Sequence, residues 1–181
     1  MVLKLYGFAR VTCTKRVRVV LEELNVPYEF IVVDIFKGEH KDDGFREHHP
    51  KLIPDPADIQ RTALFEQAAS VETSNFDPAV SGLAYENLFK PFLGKEPDLH
   101  TVETLQAVFE AKLPGYEALL SKTKYVAGDE ITLVDLFHLS YGALLKDQGY
   151  DYLESEKYPN VARWWKDISS RPTWVKVDVK A

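Results

Sequence analysis

The sequence predicts a small α/β segment followed by an all-α region, and three observations carry the prediction. Two short apolar and aromatic runs, residues 2–6 and 28–33, flank a stretch with helical spacing. A Pro/Asp stretch at residues 53–58 then interrupts the chain, and every longer segment beyond it is helical in pattern.

Between the two strand-like runs, Val17, Val20, Leu21 and Leu24 fall at i, i+3, i+4 and i+7, with Arg18 and Glu22 paired on the outer face. The opening is therefore a βαβ unit. Thr12 is the N-cap candidate, Asn25 a C-terminal stop, and Pro27 prevents the helix from continuing. A right-handed crossover with parallel strands is expected, with the loop 7–11 opening onto the helix N-terminus. Residues 53–58 read as a linker, because Pro54 and Pro56 resist both helix and sheet pairing. Helices are expected at about 60–89, 101–120, 133–145 and 161–169, with a break at 91–97 and a turn at Ala127-Gly128-Asp129.

The third of these helices has a well-specified start. Thr132 stands at the N-cap, Asp135 at N3, and Ile131 at N′ can staple to Leu136 at N4. The run from Asp135 to Leu139 is almost wholly apolar, so it is expected to pass through the middle of the helical region. His138 reads there as a hydrogen-bonded core histidine, since no second His or Cys sits at ligand spacing.

Composition narrows the function classes. The 181 residues are 45% hydrophobic and 28% charged, which is a globular balance and not a disordered one. Lys and Arg number 22 against 28 Asp and Glu, and no basic run is long enough for a nucleic-acid or anionic-membrane binder. No apolar run is long enough to cross a bilayer, and the start lacks the features of a signal peptide, so a cytoplasmic location is expected. The lone Cys13 excludes an internal disulfide and a multi-Cys metal site; no metal is expected.

Several motifs carry a family resemblance. Cys13-Thr14-Lys15-Arg16-Val17, Lys37-Gly38-Glu39-His40-Lys41, Ala63-Leu64-Phe65-Glu66-Gln67, Asn75-Phe76-Asp77-Pro78, the run from Tyr125 to Leu136, and Tyr158-Pro159-Asn160-Val161-Ala162-Arg163-Trp164-Trp165 resemble the phi class of cytosolic glutathione transferases, in its fungal or plant form. The resemblance covers essentially the whole chain. It implies a truncated thioredoxin-like βαβ domain at 1–50 that binds glutathione, a linker at 51–59 and an all-helical C-terminal domain at 60–181. It further implies a homodimer that uses glutathione as cosubstrate against a hydrophobic electrophile. Phe65, Phe76 and Tyr85 either line the electrophile pocket or pack in the core.

Within this resemblance His40 and Lys41 match the pair that holds the glycine carboxylate of glutathione; two adjacent donors suit one carboxylate, and so does a solvated charged loop. The family's catalytic serine falls at Val11, which has no side-chain donor. Thr12 either supplies the missing hydroxyl or only caps the helix. Cys13, in the first turn, is either a thiol that forms a mixed disulfide with glutathione or a packed inert side chain. The candidate catalytic residues are thus Thr12 and Cys13, and the candidate glutathione-binding residues are Val11, Thr12, His40 and Lys41.

A second departure concerns length. Pro50 is followed at once by Lys51-Leu52-Ile53-Pro54, where the family has a cis-proline loop, two strands and a helix opened by a Glu-Ser pair that binds the γ-glutamyl end. Two average strands, one helix and their loops amount to roughly thirty residues. Without them the glutathione site is half a site, and the alternative is a non-catalytic relative that binds apolar ligands or protein partners.

Overall fold

The computed structural model describes residues 3–7, 12–32, 52–55 and 57–178. Strand β1 (Leu3–Gly7) pairs in parallel with β2 (Tyr28–Val32), in register from Leu3 opposite Tyr28 to Gly7 opposite Val32. Helix α1 (Thr12–Glu23) connects them, completing the βαβ unit. Its end is fixed as the sequence indicates: Asn25 takes the left-handed conformation (φ 52°), and Val26 N–H returns to the Leu21 carbonyl at 2.9 Å. The expected pairing of Arg18 and Glu22 is mediated by Tyr28, whose hydroxyl accepts from Arg18 and donates to Glu22.

The buried face of α1 is the expected one except at Val17: Leu21 is buried, and Val20 and Leu24 pack against the core. Val17 is 46% exposed, whereas Thr12, Lys15 and Val19 are buried. Beside this apolar stripe, α1 docks on α6 (Leu133–Asp147) and α8 (Pro172–Val177) through charged side chains as well, which the hydrophobic spacing does not mark. Lys15 donates to Asp178 at 2.6 Å, Lys176 to Glu22 at 2.5 Å, and Arg171 and Thr173 both donate to Glu23. Burial acts to raise the Glu23 carboxyl, but these hydrogen bonds outweigh it and hold the group below the usual carboxylate range. Thr12 is the first helical residue and does not precede the helix as a cap.

The expected helix at 60–89 is a longer, interrupted run: α2 (Ile59–Val71), α3 (Asp77–Ala84) and α4 (Lys90–Phe92), joined by wide π-type turns at Glu72–Phe76 and Tyr85–Phe89. Asp77 N–H bonds to the Glu72 carbonyl and Lys90 N–H to the Tyr85 carbonyl, each one residue further back than in an α-helix. Pro78 and Pro91 directly follow these residues. A proline removes a donor and crowds the carbonyl four residues back, and the widened turn makes room for the ring without ending the helix.

Helix α5 (Leu99–Leu120) starts two residues earlier than expected, because the Asp98 carboxylate caps the N–H groups of His100 and Thr101. The turn before α6 closes through reciprocal Tyr125–Gly128 bonds, with Gly128 at φ 140°, a conformation open to glycine. Helix α7 (Pro159–Ser169) is opened by the Glu117 carboxylate of α5, which accepts from the N–H groups of Asn160 and Val161. Helix α8 gave no periodic signal in the sequence.

At the centre, the start of α6 carries the expected reciprocal cap, and the Asp135 carboxylate also accepts from Val126 N–H at 3.1 Å and Trp164 Nε1–H at 2.9 Å. His138 is fully buried beneath Phe76 and Trp164, at ring separations of 4.5 and 4.9 Å. Its Nδ1 lies 2.8 Å from the Val134 carbonyl, which fixes the proton there and leaves Nε2 to accept from Tyr116 Oη at 3.1 Å. The expected linker is not loose where it is described: Leu52 and Pro54 are buried, and the Leu52 carbonyl accepts from Leu133 N–H at 2.9 Å.

Two predictions follow from this core. Asp135→Ala strips a partner from four buried donors, the N–H groups of Val126 and Thr132, the Thr132 hydroxyl and the Trp164 indole, at about 1–3 kcal/mol each. Its denaturation midpoint is expected to fall by the equivalent of at least about 3 kcal/mol. Burial lowers the His138 pKa to about 3, against about 6.5 in an unfolded chain. Between these values the unfolded state holds the extra proton, so stability is full above about pH 6.5 and falls as pH drops toward 3. In paired urea titrations His138→Gln is expected to flatten that decline relative to the parent chain.

Candidate functional site

The first turn of α1 is placed by its two ends. On the strand side Gly7 closes β1, and a Cβ there would stand 2.6 Å from Thr14 Oγ1; only glycine allows the helix to sit so close to the strand end. On the other side Arg16, one turn after Thr12, reaches into the helical region. Its Nε donates to the Phe137 carbonyl (3.1 Å) and Ser140 Oγ (3.0 Å), and its Nη2 to Glu72 (3.3 Å) and Asp77 (2.7 Å). The guanidinium also lies 5.2 Å from the Tyr141 ring centroid.

Of the candidate residues, Thr12 is buried and Cys13, beside it, is exposed, which removes the reading of Cys13 as a packed thiol. The first turn holds no acidic side chain, so the positive end of the helix is not neutralised locally. Val11, His40 and Lys41 lie outside the described residues. Of the aromatic candidates, Phe76 is a core residue at 1% exposure, Phe65 packs half-buried against the core, and Tyr85 is 44% exposed.

Two cavities stand out among the described residues. One, of about 170 Å³, lies between α6, α7 and α8 against Trp165 and Trp174. The other, a shallow groove of about 460 Å³, runs along Arg18, Tyr28, Phe30 and Lys176. Neither is lined by Thr12 or Cys13. Among the described residues no group of three or more His, Cys, Asp or Glu is placed to hold a metal, and no helix is long and apolar enough to cross a membrane.

The Arg16 cluster was missed by sequence reasoning. Asp77 lies in a quoted motif, but Glu72 and Ser140 are separated from Arg16 by more than fifty residues and share no pattern with it. Burial pushes the Glu72 carboxyl up, while the adjacent Arg16 charge draws it down; the net effect is upward.

Comparison with known proteins places this geometry. The family model for the N-terminal domain of glutathione S-transferases matches residues 1–57, and the model for their C-terminal domain matches 76–172. Glutathione S-transferase PM239X14 of Arabidopsis thaliana is 38% identical, over 90% of this chain and 89% of that protein. Glutathione S-transferase hmp2 of Hypomyces subiculosus is 37% identical over the full length of both. The hmp2 alignment spans 214 positions against 181 residues here, so at least 33 positions have no residue in this chain. Among solved structures, glutathione S-transferase-I bound with lactoylglutathione superposes with a TM-score of 0.87 at 26% identity, covering 98% of each chain. Glutathione transferase F7 from Populus trichocarpa gives 0.83 at 30% identity, covering 97% of each.

The exposure of Cys13 makes a direct prediction. As it is the single cysteine, the native chain is expected to release one equivalent of chromophore from an aromatic disulfide reagent without denaturant, which thiol titration measures.

Proposed function

Since the chain belongs to the glutathione S-transferase family, in its phi class, we propose that it conjugates or reduces electrophilic small molecules with glutathione, whose thiolate stands at the N-terminus of α1. The observation that carries the proposal is the first turn of that helix. It sits against the closely approached end of β1 and has a buried threonine and no neutralising acid. The free N–H groups and dipole of a helix N-terminus favour an anion, and so lower the pKa of a thiol held there.

In this reading Thr12 donates a hydrogen bond to the thiolate in place of the hydroxyl absent at Val11, which stands among the glutathione-binding candidates. His40 and Lys41 receive the glycine carboxylate of glutathione. Cys13, exposed beside Thr12, offers the thiol for exchange with glutathione disulfide. With an aryl halide, the glutathione thiol loses its proton to solvent. The thiolate then forms a C–S bond at the ring carbon, and the carbon–halogen bond breaks with its electron pair leaving as halide. The protein is further assigned to the cytoplasm as a homodimer, with the partition 1–50, 51–59 and 60–181 separating the glutathione-binding half from the helical domain. The exposed apolar residues Phe89, Leu93 and Leu99, around the start of α5, supply surface for a dimer contact.

The shortfall of at least 33 aligned positions favours a second reading, a non-catalytic relative that binds apolar ligands or protein partners through the helical domain. Retention on immobilised glutathione together with turnover of an aryl halide is expected for the enzyme; absence of both establishes the second reading. Within the first, Thr12→Ala is expected to lower kcat/KM at least tenfold, about 1.4 kcal/mol of transition-state stabilisation. Unchanged turnover would remove Thr12 from the chemistry.

A further inference from the structure

Helix α1 is gripped from two directions. Lys15, Glu22 and Glu23 tie it to α8 and the residues beside it through Asp178, Lys176, Arg171 and Thr173. Among the described residues, Arg16 is the only α1 side chain with a hydrogen bond to α6, to α3 or to the wide turn at Glu72–Phe76. It also shares a helix face with the first turn, standing three and four positions after Cys13 and Thr12; Lys15, three after Thr12, is bonded to Asp178 instead.

We propose that Arg16 is a positioning residue. By bonding α6 with one edge of its guanidinium and Glu72 and Asp77 with another, it fixes where the first turn of α1 stands against the helical domain. The proposal rests on the reading of that turn as the thiolate site. Three features support it. The acceptors lie on separate elements: α6 offers a main-chain carbonyl and a hydroxyl, the wide turn a carboxylate, and the start of α3 a second carboxylate. Only a planar fork with several fixed N–H directions serves them together; an ammonium group is a point donor on a flexible stem. The wide turn, for its part, begins at Glu72 and is closed by the N–H of Asp77, the first residue of α3, so the extra residue wound into the helix brings both carboxylates to one guanidinium. Finally, Glu72 is 4% exposed and Ser140 fully buried, so neither acceptor has water to fall back on when the fork is removed.

The consequence is separable from folding. With Arg16 altered, α1 remains tied beside α8, by Lys15 in the first turn among others, while that turn loses its tie to α6 and to the start of α3, and a thiolate displaced by a fraction of an ångström meets the electrophile in a poorer geometry. Arg16→Lys keeps the charge and removes the fork. Its kcat for the aryl halide is expected to fall at least tenfold, with the half-saturating aryl halide concentration within twofold of the parent and helical circular dichroism retained. Ser140→Ala, a milder change on the receiving side, is expected to lower kcat about threefold in the same pattern. Lys176→Ala, which removes only the exposed pair with Glu22, is expected to leave both constants unchanged. A kcat within twofold of the parent in Arg16→Lys, or a loss confined to KM, would overturn the proposal. If the parent chain conjugates nothing, the thiolate reading itself falls, and alkylation of the single Cys13 by iodoacetamide then decides. A threefold or greater change of rate in Arg16→Lys shows that Arg16 sets the first turn, and an unchanged rate shows that it does not.

Discussion

The fold is organised around one carboxylate. Asp135 accepts from Thr132 at its own helix start, from Val126 in the preceding turn and from the indole of Trp164 on α7. The turn before α6, the start of α6 and the distant α7 thereby converge on a site that excludes water almost completely. Burial raises the pKa of this group and its hydrogen bonds oppose the rise. Because every contact it makes is to a donor, the arrangement is satisfied by a carboxylate and not by a carboxylic acid. Around this point α6 runs through the helical region, with α1, α3 and α7 packed against it. The aromatic group formed by Phe76, Tyr116, His138 and Trp164 fills the space between them.

Docking of α1 uses a different physics. Lys15 and Asp178 are largely buried, with 8% and 15% of their side-chain surface exposed. Buried pairs of this kind add little net stability relative to apolar packing, yet losing one partner costs about 3–5 kcal/mol, so they fix orientation more than they add adhesion. On the proposed reading, in which the N-terminus of α1 holds the thiolate, orientation is the property that matters, because the field of the free N–H groups falls off within the first turn.

The long run from α2 to α4 shows how a sequence feature that ordinarily stops a helix can be absorbed. Pro78 and Pro91 each follow a turn closed one residue further back than usual, so the run continues past both. The first of these turns places Glu72 and Asp77 at Arg16. The second places the Glu86 carboxylate where it receives Lys90 and the main-chain N–H of Asp98, joining the end of the run to the start of α5.

The sequence by itself determined what depends on neighbours along the chain. The parallel strand pair, the stop at Asn25, the reciprocal cap of Thr132 and Asp135 and the core character of His138 are all set by patterns a few residues long, and each is found in the structure. The family, too, was legible, since its motifs are contiguous. What only the tertiary structure decided are contacts between residues far apart. Beside its apolar stripe α1 is held by charges whose partners lie up to 163 residues away, and hydrophobic periodicity has no means of registering an ion pair. The wide turns arise from prolines inside a run that packing keeps helical. The Arg16 cluster exists because three separate elements meet, and no linear spacing encodes that meeting.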